Sequence, residues 1–91
     1  MNRITQAHLN YLVDELNTIT NSALKAYTRS ETGAKAKIGN YHLYQAYGST
    51  GLHRIMNEGG GVTEVFGLGT KRELYNQLNA MLHGINIARE V

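Results

Sequence analysis

The chain of 91 residues contains no cysteine and no proline. Without cysteine it can form neither a disulfide framework nor a thiolate metal site. The absence of proline is compatible with uninterrupted helices and strands and excludes nothing by itself. The N-terminal segment lacks the apolar core of a secretory signal peptide, and no apolar run approaches the roughly 20 residues that a membrane span requires. We therefore expect a soluble, intracellular protein with no membrane partner.

The length of the chain also limits its architecture. A chain of this size forms one domain, and we expect residues 1–91 to make up that domain. Its core must be thin, because a domain this small buries only roughly 60–65% of the surface that its unfolded chain exposes. Small domains often gain stability by association. We therefore expect a homo-oligomer.

Charge is distributed unevenly, although the net charge is only +2. Residues 25–54 carry five basic residues against Glu31, a net charge of +4, whereas residues 1–24 and 55–91 carry −1 each. A basic middle segment is typical of a surface that binds an anionic partner. An ordinary solvated face has the same composition, so both interpretations stay open.

Two amphipathic helices are predicted, one near each end of the chain. The first has its apolar residues at the i, i+3, i+4, i+7 spacing of a single helix face; these residues are Leu9, Leu12, Val13, Leu16 and Ile19. Thr5 is its predicted N-cap, and Asn21 and Ser22 mark its end. The last helix begins at a T-x-x-E capping box made by Thr70 and Glu73.

The end of the last helix is less defined by the sequence. Gly84 either ends the helix in a left-handed cap or lies inside it at a cost of about 1 kcal/mol. Residues 85–91, INIAREV, are compatible with continued helix, with a short edge strand, or with docking on a neighbouring subunit. These three alternatives stay open.

Between the helices the apolar pattern changes to the period of two that is typical of strands. Residues 40–61 read NYHLYQAYGSTGLHRIMNEGGG, and we interpret them as a hairpin that turns about Ser49 and Thr50. This turn predicts three cross-strand pairs: Tyr47 with Leu52, Gln45 with Arg54, and Leu43 with Met56. In the same register His42 and His53 share the opposite face without facing each other.

Two further segments have strand composition. Residues 25–29, KAYTR, are predicted to add a third strand to the hairpin, followed by a polar loop at residues 30–36. Residues 62–66, VTEVF, are predicted to add another strand. The order helix, antiparallel strands, helix predicts an α+β fold of two layers, with an N-terminal helix, an antiparallel β-hairpin or meander, and a C-terminal helix. Both helices are expected on one face of the sheet.

The familiar catalytic motifs are missing. The stretch GGGVTEVFGLGTK does not match the P-loop pattern, and no serine lies in a G-x-S-x-G elbow. His42 and His53 could hold a metal only with a third ligand such as Glu58 or Glu64, so solvent-facing histidines are the favoured interpretation. We therefore expect no enzymatic activity, no bound metal and no cofactor.

The start of the last helix is a weaker candidate for an anion site. Free N–H groups at a helix N-terminus attract anions, and Lys71 and Arg72 lie in the first turn. The capping residues Thr70 and Glu73 satisfy those donors in the alternative interpretation, which we favour.

Tyrosines and basic residues interleave through residues 25–54, and this combination is the most suggestive in the sequence. Aromatic rings offer stacking surfaces for bases, and guanidinium and ammonium groups hold phosphates. A glycine triplet lets backbone amides approach a phosphate. The predicted ligand-binding residues are Lys25, Arg29, Tyr41, Tyr44, His53, Arg54, Gly59, Gly60 and Gly61.

This set has an internal conflict. Tyr41 and Tyr47 also suit the apolar face of the sheet, where a tyrosine packs well. The predicted pairing places Arg54 on the face of Tyr41 and His53 on the face of Tyr44. The predicted residues therefore cannot all line one pocket of one subunit, unless a second subunit completes the site.

The run IGNYHLYQAYG…GLHRIMNEGGGV, followed by KRELYNQLNAML, resembles a family of small proteins of unassigned function from tailed bacteriophages and prophages. The resemblance covers most of residues 4–84 and implies a phage accessory protein that acts in the cytoplasm of the host cell. It supplies no active site. Relatives have two glycines after the AY pair, where this chain has Gly48 and then Ser49.

Together these observations predict a non-enzymatic accessory protein that binds an anionic, nucleotide-like ligand and sequesters a host defence signal. One alternative is a module that inhibits a host protein through residues 85–91 and the edge of the hairpin. The other is a nucleic-acid-binding protein, which the modest net charge and the lack of a helix-turn-helix pattern disfavour.

Overall fold

The computed structural model describes residues 3–30 and 33–90. Within these ranges the elements are α1 (Gln6–Ile19), β1 (Tyr27–Ser30), β2 (Gly33–Ala36), β3 (Tyr41–Ala46), β4 (Ser49–Ile55), β5 (Val62–Gly69) and α2 (Lys71–Glu90). Strands β3, β4 and β5 form an antiparallel sheet in that order. The predicted α+β arrangement is confirmed. Neither helix in the described ranges combines the length and the apolarity that crossing a bilayer requires.

Helix α1 begins and ends where the sequence predicts. The Thr5 hydroxyl accepts a hydrogen bond from the backbone N–H of His8 at 3.3 Å, and the His8 ring accepts one from the N–H of Thr5 at 3.1 Å. Asn21, just past the C-cap, has the left-handed φ of 57° that favours a helix end. The predicted apolar stripe faces the core, since Leu9 and Leu16 are fully buried.

Both helices pack on one face of the three-stranded sheet, as predicted. The buried cluster between the two layers consists of Leu9, Leu12, Val13, Leu16, Tyr41, Leu52, Leu74 and Leu78. The helices lie side by side and run in the same direction. The ring of His8 lies 6.5 Å from that of Tyr75 near their N-terminal ends, and Arg89 donates to the Ile19 carbonyl at 3.4 Å near their C-terminal ends. The opposite face of the sheet contributes nothing to this cluster.

The predicted register of the hairpin is wrong. Strand β4 begins at Ser49, and Gln45 lies opposite Thr50 rather than Arg54, a displacement of four residues along β4. The turn consists of Tyr47 and Gly48, whose φ angles of 53° and 75° are those of a two-residue type I′ turn.

Burial explains the preference for this register. In the observed register Thr50 lies within the sheet with only 3% of its surface exposed, and Leu52 lies opposite Leu43 on the core face. An even displacement leaves the side chains of β3 and β4 on their predicted faces, because the side-chain period of a strand is two. Tyr47, which was predicted on the apolar face, lies instead in the turn and is 99% exposed. His42 and His53, however, lie directly opposite each other, contrary to the prediction.

Residues 25–29 do not add a strand to the hairpin, which is a second correction. Strands β1 and β2 pair with each other in a separate two-stranded sheet, so the predicted loop at residues 30–36 contains a strand. Glu31 and Thr32 of that loop lie outside the described residues. The outer edge of β3 is occupied at Tyr41, whose backbone N–H and C=O bond the side chain of Asn17 at 2.8 and 2.9 Å.

The predicted capping box of α2 is confirmed. Thr70 N–H donates to the Glu73 carboxylate at 3.1 Å, and Glu73 N–H donates to the Thr70 hydroxyl at 3.0 Å. Gly84 lies inside the helix, which continues through residues 85–90. Of the three alternatives for the C-terminal segment, the structure therefore shows continued helix; Val91 lies outside the described residues.

Candidate functional site

The face of the sheet opposite the helices presents a group of polar and aromatic side chains. The pairing of β3 with β4 and of β4 with β5 places His42 opposite His53 and His53 opposite Glu64, so these residues share one face. Tyr44 lies on the same face, two residues along β3 from His42. We call His42, Tyr44, His53 and Glu64 the open-face cluster.

Direct contacts hold the open-face cluster together. The rings of Tyr44 and His53 are stacked, with centroids 3.5 Å apart and planes inclined by 17°. The Tyr44 hydroxyl donates to the Glu64 carboxylate at 2.7 Å. The rings of His42 and His53 meet edge to face at 5.7 Å. The cluster thus connects all three strands: β3 and β4 supply its rings, and β5 supplies a carboxylate.

Gly51 makes room for this arrangement. It lies opposite Tyr44 on β4, and a Cβ atom there would lie 2.5 Å from the Cε1 atom of the Tyr44 ring. The tyrosine ring can lie flat across the sheet towards His53 only because its partner has no side chain. The local sequence of β4 therefore shapes the cluster.

The environment of the cluster shifts the pKa values of two of its members. Desolvation by burial, together with the neighbouring His53, lowers the pKa of His42 below its ordinary value. The hydrogen bond to Glu64 raises the pKa of Tyr44. The Nδ1 atom of His42 is buried and makes no hydrogen bond. Burial thus favours the neutral form of the His42 imidazole and leaves one of its ring nitrogens without a partner.

The same cluster is poorly suited to a metal ion. Among residues 3–30 and 33–90 there is no group of three His, Asp or Glu side chains arranged to hold one. Glu64, which the sequence offered as a third ligand, accepts the Tyr44 hydroxyl.

Tyr41 and Arg54 lie on the other face, beneath the helices. Tyr41 is 7% exposed and belongs to the core cluster. The Arg54 guanidinium lies 5.1 Å from the centre of the Tyr41 ring, and its Nε donates to the Gly39 carbonyl at 3.4 Å. The structure therefore separates these two predicted ligand residues from Tyr44 and His53, as the sequence pattern indicated.

The glycine triplet forms the connection between β4 and β5. Gly60 N–H donates to the Asn57 carbonyl at 3.1 Å, and Gly61 N–H donates to the Asn57 side chain at 2.9 Å. Gly60 has a φ of 92°, a conformation that glycine adopts without strain. Two of the amides predicted to cradle a phosphate are therefore used to close this turn.

The two-stranded sheet docks on that turn. Its strands belong to the basic segment of residues 25–54, which therefore lies next to the turn. Lys35 forms an ion pair of 3.3 Å with Glu58, and Ala36 N–H donates to the Glu58 carbonyl at 3.4 Å. Lys25 is exposed in the bend before β1. Arg29 pairs with Ala34 through its backbone, and its side chain lies outside the described part of the structure.

Two pockets lie elsewhere on the described surface. One, of about 380 Å³, surrounds the hairpin turn and includes Tyr47, Ser49 and Lys71. At the adjacent start of α2, the hydrogen bonds from Thr70 lower the pKa of Glu73. The other pocket, of about 340 Å³, is a groove between the helices lined mainly by His8, Tyr11, Leu12, Tyr75 and Asn79.

Sequence reasoning identified two of the four residues of the open-face cluster as ligand residues; it considered His42 and Glu64 only as metal ligands. Tyr44 and His53 were predicted as ligand residues and are in contact, but nothing in the spacing pairs Tyr44 with Glu64, which is 20 positions away. Asn17 was missed altogether. Its place at the i+4 position from Val13 on the buried stripe is the signal that could have identified it.

Comparison with family models, with curated proteins and with solved structures finds no match to this chain.

Proposed function

We propose that the protein is a non-enzymatic binding protein for a nucleotide-like anion, whose flat ring rests on the open-face cluster. The observation that carries this proposal is the stacked pair of Tyr44 and His53, 3.5 Å apart, on a sheet face that the helices leave uncovered. Both residues are only partly buried, so part of their surface stays accessible to a ligand. Aromatic side chains on open sheet faces are a common platform for bases.

The polar groups around the pair support recognition of a heteroaromatic ring. The buried Nδ1 atom of His42 has no hydrogen-bond partner, and a ligand gains free energy by satisfying it once the imidazole ring turns that atom towards the surface. Glu64 fixes the Tyr44 ring through its hydroxyl, which reduces the entropy lost on binding. These contacts favour a base or another flat polar ring over an aliphatic ligand.

The basic residues support the anionic part of the proposal. Residues 25–54 carry a net charge of +4, and Lys25 and Lys37 belong to the segment around the two-stranded sheet. That sheet docks through Glu58 on the connection between the end of β4 and the start of β5. Such a charge distribution attracts a phosphorylated ligand towards this side of the molecule.

The resemblance to small phage accessory proteins extends the proposal to a biological role. We propose that binding sequesters a nucleotide-type defence signal in the cytoplasm of the host cell. A protein of this kind needs no catalytic group, because tight binding alone lowers the free concentration of the signal.

Isothermal titration against cyclic nucleotides and ADP-ribose-type nucleotides tests the proposal. We expect saturable binding by one class of these compounds, and we expect the Tyr44→Ala and His53→Ala variants to bind at least about 5-fold more weakly, since base–aromatic stacking is worth about 1–3 kcal/mol. Tyr47→Ala is the matched control, because Tyr47 lies on the same hairpin, is 99% exposed and lies outside the cluster.

Two results would contradict the proposal. One is the absence of heat with every compound at concentrations that saturate a control binder. The other is an equal loss of affinity in Tyr47→Ala and Tyr44→Ala. A single-stranded oligonucleotide belongs in the same panel: strong binding that falls steeply with salt, without binding of mononucleotides, would instead identify a nucleic-acid-binding protein.

A further inference from the structure

The two edges of the three-stranded sheet differ in whether their outward backbone groups have hydrogen-bond partners. On the β3 edge, the Asn17 side chain satisfies both backbone groups of Tyr41. On the β5 edge, no strand in the described ranges pairs with the outer side of Val62–Gly69. Unpaired N–H and C=O groups along a strand are a template for pairing with another chain.

Backbone alternation shows which groups of β5 point outward. Met56 N–H donates to the Gly61 carbonyl, so Gly61 faces β4. In an antiparallel pair the direction of the backbone groups alternates along the strand. The groups of Val62 and Glu64 therefore point away from β4, and those of Thr63 point towards it. Beyond Glu64 the register with β4 shifts, which ends the regular stretch.

The regular stretch at residues 62–64 has few of the features that protect an edge strand. It contains no lysine, arginine or proline. Its one charge, Glu64, accepts the Tyr44 hydroxyl on the open face. Val62 is 43% exposed, which leaves an apolar side chain beside the unpaired backbone.

We propose that β5 pairs with the β5 strand of a second copy of this chain, antiparallel and about a two-fold axis at Thr63. In this register Val62 lies opposite Glu64 of the partner subunit, and Thr63 lies opposite Thr63 of the partner subunit. The two three-stranded sheets then form one sheet of six strands. This register engages the outward groups of both Val62 and Glu64 in each copy.

Charge and side-chain chemistry favour a second copy as the occupant. The register places no like charges directly opposite each other, since each Glu64 faces a valine. The two threonines form a pair without backbone hydrogen bonds between them, a position where side chains lie close and Thr–Thr contacts are favourable. Because the regular stretch is short, the dimer is weak, and the fraction of the protein that is dimeric rises with protein concentration.

The inference goes beyond ligand binding and does not depend on it. Pairing of this kind places the open-face clusters of both copies on the same side of one continuous sheet. Each cluster is nevertheless complete within its own chain. Loss of the dimer and loss of ligand binding are therefore separate experimental results.

A single introduced cysteine tests the register directly, because the natural chain has none. Thr63→Cys places the two cysteines in a pair whose Cα atoms lie about 4.5 Å apart, within the range of a disulfide. We expect mild oxidation to convert this variant into a covalent dimer, seen by non-reducing electrophoresis. Thr18→Cys, exposed on α1, is the matched control and is expected to cross-link at least about 10-fold more slowly.

Val62→Pro tests the contribution of the outward backbone. Its N–H faces away from β4, so proline removes a bond to the partner subunit and no bond to β4. Light scattering after gel filtration is expected to show a dimer at high concentration for the natural chain and a monomer for Val62→Pro, with the same circular dichroism. The proposal is overturned if Val62→Pro keeps the natural mass, if the natural chain stays monomeric up to about 1 mM, or if both cysteine variants cross-link equally.

Discussion

At the scale of single residues, Asn17 is the clearest case of a polar side chain with a structural role. It is fully buried on the apolar face of α1 and bonds both backbone groups of Tyr41. In this way one side chain replaces a neighbouring strand at the edge of β3 and fixes the helical layer to the sheet. The residue thus connects local helix geometry with the assembly of the two layers.

Asn17→Ala is expected to lower the free energy of unfolding by about 2–6 kcal/mol, because a buried donor and a buried acceptor each lose a partner at about 1–3 kcal/mol. Urea denaturation followed by circular dichroism measures the change. Asn10→Ala, on the exposed face of the same helix, serves as the control and should change stability by less than about 0.5 kcal/mol. Equal effects of the two substitutions would show that the bonds to Tyr41 contribute nothing.

His42 makes the stability of the protein depend on pH. Its pKa in the folded state is lowered, so the unfolded chain binds more protons around the ordinary histidine pKa of about 6.5. The contribution of neutral His42 to stability is therefore fully present above the ordinary histidine pKa, and it is lost as the pH falls through that value towards the folded-state pKa. The ring of His53 contacts His42, and the charge of His53 is the second cause, after burial, that lowers the pKa of His42.

The measurement is a set of urea midpoints between pH 5 and pH 8. We expect His42→Gln to flatten the decline at acidic pH, while His83→Gln, exposed on α2, retains the dependence of the natural chain. A decline of unchanged slope in His42→Gln would rule out this residue as its origin.

At the scale of elements, the sequence predicted helices more accurately than strand pairing. Capping residues and apolar spacing are local signals, and they identified the start of both helices at Thr5 and Thr70. The hairpin turn was misplaced because a tyrosine is a poor match for the left-handed position that Tyr47 occupies, whereas GSTG has typical turn composition. Burial of Thr50 and Leu52 decides the register, and burial is a tertiary property.

Two glycines provide a matched test of backbone effects. Gly84 lies inside α2, and a Cβ atom there would have no neighbour within 4 Å. Gly84→Ala is therefore expected to stabilise the protein by up to about 1 kcal/mol. Gly60 has a φ of 92°, and its added Cβ atom would lie 3.1 Å from the Tyr27 hydroxyl oxygen.

Gly60→Ala is expected to destabilise the protein by about 1–2 kcal/mol, since a residue with a Cβ atom is strained in the left-handed region. Thermal unfolding monitored by circular dichroism compares both variants with the natural chain. Opposite shifts of the midpoint are expected, and a shift of the same sign in both would contradict the assignment of Gly84 to the helix interior or of Gly60 to a strained turn.

At the scale of the whole molecule, the change in period from 3.6 to 2 and back was sufficient to predict the two layers. It was insufficient to predict the second sheet, because β1 and β2 are short and lack a continuous apolar face. Of the predicted ligand residues, Tyr44 and His53 are in contact, while Tyr41 and Arg54 lie on the opposite face of the sheet. Which residues meet across strands depends on register, and register was the least accurate part of the prediction.

The thin core implies that single residues within it carry a large share of the stability. Leu52 is fully buried between the sheet and the helices, and Leu52→Ala is expected to cost about 2–5 kcal/mol. A domain of this size has a total stability of about 5–14 kcal/mol, so this one substitution removes a large fraction of it. Leu68→Ala on β5, where the leucine is 41% exposed, is the control and is expected to cost less than about 1 kcal/mol. Urea denaturation measures the free energy of unfolding of both variants. A similar decrease in the two would show that the core does not lie between these layers.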